Sequence, residues 1–184
     1  MTGTPGATRP GNGTGPSAAP GRERTIRDGL IVGFIAYLSV AAFYAAFDVL
    51  AARGTLYTVN LLGKAVFGGA ADATALQQPI ALDLRAIFWY NAAHLALSLG
   101  IGMIVMSLIA QAERLPPRVP LVVATIVGGF FVTIAAVGVL SEPIRHVLPW
   151  WTIIVANSSA VAFGGLYIRQ YRRDAWRWLM PFGG

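Results

Sequence analysis

Asn91, His94 and Ser98 lie three and four residues apart inside the apolar run "FWYNAAHLALSLGIG", and Gly102 follows four residues later. At 100° per residue these positions share one narrow helical stripe. Hydrocarbon accepts such side chains only at a cost, which makes them candidates for pairing or for work. A neutral histidine has one donor and one acceptor nitrogen, so the plainest use of the stripe is bonding between helices. Each such bond contributes about 1 kcal/mol. The sharper chemistry is a proton or ligand path. An earlier apolar run carries a similar stripe of Tyr37, Ala41, Tyr44 and Asp48. Tyr44, Asp48, Asn91 and His94 together make a candidate outward-facing polar pocket. For Asp48 the plain alternative is an acid at a helix end that pairs with Arg53 or Arg85.

His94 and His146 raise the question of haem b held between helices. His146 follows Pro143 in a connecting segment, which disfavours axial coordination from opposite faces. A metal site built from Asp48, His94, Glu142 and His146 lacks ligand spacing on any one helix. The expectation is no cofactor and no metal, with haem or a chlorophyll-type pigment at His94 as the alternative. The chain has no cysteine, so disulfides, thiolate metal sites and cysteine nucleophiles are excluded. GxSxG, HExxH, Walker A and GxGxxG patterns do not occur. No enzyme is expected.

The elements that position these residues follow from composition. Of 184 residues, 55% are hydrophobic and only 12% charged, too few charges to cover a soluble domain. The mean hydropathy is +0.60. The net charge is +6, but the basic residues flank apolar runs instead of forming a stripe, which speaks for membrane topology and against nucleic acid. Four apolar segments, about 30–50, 86–110, 121–140 and 148–168, each approach the roughly 20 residues that cross a hydrocarbon core of about 30 Å. The expected fold is an all-α integral membrane protein, a four-transmembrane-helix bundle. Residues 1–25, rich in Gly and Pro, read as a disordered tail, and 26–184 as the membrane domain. In the long outer loop 51–83, Val59, Leu62 and Val66 share a helical face and predict a short helix lying on the surface or partly re-entrant. Residues 169–184 read as a basic, aromatic helix continuing the fourth span, in contact with anionic headgroups.

Ten arginines fall on the side of the termini and four basic residues, Arg53, Lys64, Arg85 and Arg145, on the other. The positive-inside rule then places both termini in the cytoplasm and the protein in a bacterial inner (plasma) membrane. Trp89, Tyr90, Trp150 and Trp151 suggest an outer aromatic belt, and Tyr167, Tyr171, Trp176 and Trp178 an inner one. Gly102, Gly129, Thr133, Ala160 and Gly164 read as helix-packing positions, because small residues let backbones approach. The function expected is that of a non-catalytic multi-pass protein. It would be an accessory or assembly subunit of a larger membrane complex, or a self-associating bundle. The alternative is a small oligomeric transporter or channel using the polar pocket.

Overall fold

The structure, a computed structural model, describes residues 20–67, 80–145, 148–173 and 176. Among these there are helices and no strands: α1 (Pro20–Leu50), α2 (Tyr57–Phe67), α3 (Leu84–Arg114), α4 (Val119–Leu140) and α5 (Trp150–Tyr171). Four of them, α1, α3, α4 and α5, are long and apolar enough to cross a membrane, as the hydropathy pattern requires.

α1 starts ten residues before its apolar run. Proline at a helix start presets φ and lacks an N–H that would go unpaired anyway, and the Thr25 hydroxyl donates to the Gly21 carbonyl at 2.7 Å. Residues 20–25, read above as tail, are therefore helical; residues 1–19 lie outside the described residues. α1 and α3 have 31 residues each. At 1.5 Å per residue each is about 45 Å long, so their charged ends reach beyond a hydrocarbon layer of about 30 Å.

α1 and α3 meet backbone to backbone. A Cβ on Gly102 would stand 2.4 Å from the Gly29 carbonyl oxygen and 2.7 Å from the Gly33 Cα. Only hydrogen fits at that crossing. Gly29 and Gly33, four apart, are the small-xxx-small spacing of membrane helix pairs. α5 packs on the other side of α1, where Gly164 faces Val32. α4 lies at the margin, joined to α3 by a proline-led turn at Pro116–Arg118. Near its far end Gly138 lies under the Trp150 ring.

The chain leaves α1 through a tight reversal. The Ala52 N–H bonds to the Val49 carbonyl and the Arg53 N–H to the Asp48 carbonyl, the paired bonds of a Schellman motif. Ala52 takes φ 54°, the left-handed conformation that glycine usually supplies, and Gly54 takes φ 84°. α2 follows, and it is not a helix laid on the surface by one apolar face. Leu61 and Leu62 are buried with Ile144, Leu148 and Ile153, Gly63 sits against the Ala86 backbone, and Val66 is exposed. Its buried set runs Thr58, Asn60, Leu61, Leu62 and Gly63, because α2 is wedged between α3 and the turn after α4. The sequence stripe through Val66 missed this two-sided contact. Asn60 accepts from the Asp83 N–H at 2.9 Å and donates to the Ala81 carbonyl at 3.1 Å. Asp83 in turn accepts from the N–H groups of Arg85 and Ala86, both at 3.0 Å, and so caps α3.

The opposite end has its own core of Val32, Met106, Ile109 and Ile168, against which Tyr167 and Trp176 pack. α5 ends at Arg172, at φ −130° and ψ 56°. The Trp176 N–H returns to the Arg172 carbonyl at 3.0 Å, and its ring lies near Gly165. The helix is thus interrupted at Arg172, and residues 173 and 176 are again helical. Residues 177–184, including Trp178, lie outside the described residues.

Candidate functional site

The polar stripe of α3 faces α1. The Tyr37 hydroxyl donates to Asn91 Oδ1 at 3.0 Å, and Asn91 Nδ2 donates to the Ile87 carbonyl at 2.9 Å. His94 lies between two tyrosine rings, with centroids 5.4 Å from Tyr37 and 6.1 Å from Tyr90, the latter nearly parallel at 13°. Its Nε2 is buried with no hydrogen-bond partner, the one such side-chain atom among the described residues. A buried polar atom left unpaired costs about 1–3 kcal/mol, so this atom needs an account.

Asp48 has a settled role. It is buried, and its carboxylate accepts from the Thr58 N–H at 2.7 Å and from the Thr58 hydroxyl. Thr58 is in the first turn of α2, where N–H groups have no partner within the helix. Asp48 therefore caps α2 from the end of α1, a charge-assisted bond made across the tertiary structure. The Arg53 guanidinium, a partner expected from sequence, stands over the rings of Phe47 and Tyr57 at 5.9 and 5.3 Å. Tyr44 packs at the edge of the core around Leu61, near the Thr152 side chain. The four pocket candidates thus form two groups. Asn91 and His94 gather around Tyr37; Tyr44 and Asp48 gather around Thr152 and Thr58. The Tyr90 ring lies between them, turned into the core rather than out to an aromatic belt. Glu142 pairs with Arg145 at the surface, and His146 lies outside the described residues.

A third constellation went unread in the sequence. At the end where α1 starts and α5 finishes, Arg172 is buried and reaches two acids on two other helices. Its Nη1 donates to Asp28 Oδ2 at 3.0 Å, and its Nη2 meets both Glu113 oxygens at 2.7 Å. The Tyr167 hydroxyl adds a longer bond to Asp28 at 3.3 Å. Burial pulls the Arg172 pKa down, but the hydrogen bonds to Glu113 and Asp28 outweigh it and raise the value above the ordinary one. The guanidinium stays charged at every working pH. The clasp joins α1, α3 and the end of α5. The available signal was two acids and one arginine at helix ends; in the sequence Arg172 counted only as a topology marker, and Asp28 and Glu113 went unused.

No family model, curated protein or solved structure matches this chain.

The packing positions divide. Gly102 and Gly164 are buried against α1, and Ala160 is half-buried. Gly129 faces open space, as does Gly128. The Thr133 hydroxyl donates to the Gly129 carbonyl at 2.8 Å and Thr125 to Leu121 at 2.8 Å, each within α4. Among the described residues, no part of this chain packs on Gly128 or Gly129 of the α4 seam. Among the described residues no three His, Asp or Glu side chains gather closely enough to hold a metal.

Proposed function

We propose that this protein is a non-catalytic, multi-pass membrane protein, an accessory or assembly subunit that presents α4 to another membrane chain, with both termini in the cytoplasm. The observation that carries this reading is the bare seam of α4, where Gly128 and Gly129 meet nothing within 4 Å. Small residues of this kind gain stability when another backbone packs on them. The polar groups inside the spans support the same reading, since Asp48 caps a helix and Asn91 ties α3 to Tyr37. The test is photo-crosslinking from a probe at Gly129 in intact membranes. A defined adduct with a second membrane protein supports the proposal. Adducts with lipid alone, together with recovery of the chain unaccompanied in mild detergent, overturn it. A C-terminal fluorescent fusion that stays dark, with active phosphatase at the terminus instead of at Ala71, overturns the orientation.

One observation favours the second reading, a small oligomeric transporter or channel: the unpartnered Nε2 of His94. If His94 only packs, His94→Gln and His94→Leu should change thermal stability by about 1 kcal/mol or less, and activity of the parent complex should follow stability. A folded His94→Gln variant that abolishes that activity would favour proton or ligand transfer, since glutamine cannot titrate.

A further inference from the structure

The end of the molecule where α1 starts and α5 finishes carries, among the described residues, more cation than its own acids can use. Residues 20–28, 113–119 and 169–173 contain eight arginines against three acids. Two of those acids, Asp28 and Glu113, are taken by Arg172. Arg24 and Arg27 also approach Asp28, at 3.8 and 3.6 Å, with side chains 55% and 70% exposed. One carboxylate thus serves three guanidiniums. Arg114, Arg118, Arg169 and Arg173 are exposed, and Arg114 lies beside Gly21 at the start of α1. Arg24 donates to the Tyr171 carbonyl at 3.4 Å, which draws the end of α5 into the same rim. At the other end, Arg53, Lys64, Arg85 and Arg145 stand against Asp48, Asp83 and Glu142, close to balance.

We propose that this arginine-rimmed end binds the phosphodiester headgroups of anionic phospholipids in the adjoining leaflet, with Arg24, Arg27, Arg114, Arg169 and Arg173 as donors. The inference rests on the membrane-spanning reading. α1 and α3, each about 45 Å long, carry Arg24, Arg27 and Arg114 past a hydrocarbon core of about 30 Å and into the headgroup layer. The Arg172 clasp brings Arg169 and Arg173, at the end of α5, to the same rim. Guanidinium forks match phosphate oxygens in pairs. The clasp matters because it ties three helix ends together while consuming the acids that would otherwise neutralise the rim. Each rim arginine is expected to contribute about fivefold in affinity for an anionic headgroup.

The experiment uses the full chain in dodecyl maltoside, titrated with phosphatidylglycerol or phosphatidylcholine of the same acyl chains. Bound lipid is read by native mass spectrometry and the melting temperature in parallel. Phosphatidylglycerol should be retained and raise the melting temperature, and phosphatidylcholine should do neither. Arg114→Gln/Arg169→Gln/Arg173→Gln spares the clasp and should weaken phosphatidylglycerol binding about a hundredfold, whereas Arg53→Gln/Arg85→Gln should leave it within about twofold. If the triple variant does not fold, the Lys version should keep the preference, and about 0.5 M salt should suppress it in the unaltered chain. Equal retention of the two lipids, a preference indifferent to salt and to the rim, or inorganic phosphate as effective as the lipid would each overturn the proposal. Release of the chain from membranes by alkaline carbonate would instead overturn the membrane-spanning reading beneath it.

Discussion

The two ends of this molecule solve one problem by different means. At the end where α1 starts and α5 finishes, the helices are tied by ions: Arg172 is held by Asp28 and Glu113. At the α2 end, the acids serve backbone N–H groups, Asp48 at Thr58 and Asp83 at Arg85 and Ala86. The difference follows from what each end must hold. Three separate helix ends offer few free donors to each other, so a long, forked side chain has to bridge them. A short helix of 11 residues inserted between spans exposes first-turn N–H groups that need acceptors nearby. Charge bridges reach across gaps; caps secure local turns.

If this comparison holds, the largest effect should come from the clasp. Arg172→Ala leaves Asp28 buried without its strongest partner and should destabilise the protein by about 3 kcal/mol or more, measured as reversible unfolding in mixed micelles. The combined Asp28→Asn/Glu113→Gln/Arg172→Gln variant removes the unpaired charge and should recover much of that loss. A loss under about 0.5 kcal/mol for Arg172→Ala would place the clasp among surface ion pairs and erase the contrast.

A smaller and more local effect is expected at the other end. Asp48→Asn keeps an acceptor for the Thr58 N–H but loses the charge, and should cost about 1–2 kcal/mol. Hydrogen exchange should rise in α2 while the α1–α3 crossing at Gly33 and Gly102 stays protected. Exchange that rises equally in both regions would show that the cap supports the whole assembly rather than α2.

The smallest effect is a gain. Ala52 occupies the left-handed position that closes α1, where an L side chain is strained. Ala52→Gly should stabilise by about 0.5–1 kcal/mol, the relief of strain being partly offset by glycine's entropy in the unfolded chain. A destabilising Ala52→Gly would mean that the reversal before α2 tolerates alanine without strain.

The sequence by itself determined the four apolar spans, because a helix of about 20 apolar residues is legible without knowing its neighbours. It also marked Asn91 and His94, since a polar side chain is conspicuous in such a run. Hydropathy could not reveal partners. The Asp48 carboxylate has one appearance in sequence whether it meets Arg53, a ligand or the Thr58 N–H, and only the fold of the Ala52 reversal chose Thr58. Gly29 and Gly33 had the spacing of a crossing, but α3 had to arrive with Gly102 before that spacing meant contact. Gly129 has the same residue type, and among the described residues nothing packs on it. The clasp shows the limit most plainly. Asp28, Glu113 and Arg172 are far apart along the chain; the arginine alone reads as a marker of membrane side, and the two acids carry little such signal. Tertiary structure made them a unit, because a buried charge acquires its meaning from whichever opposite charge the packing brings within about 3 Å.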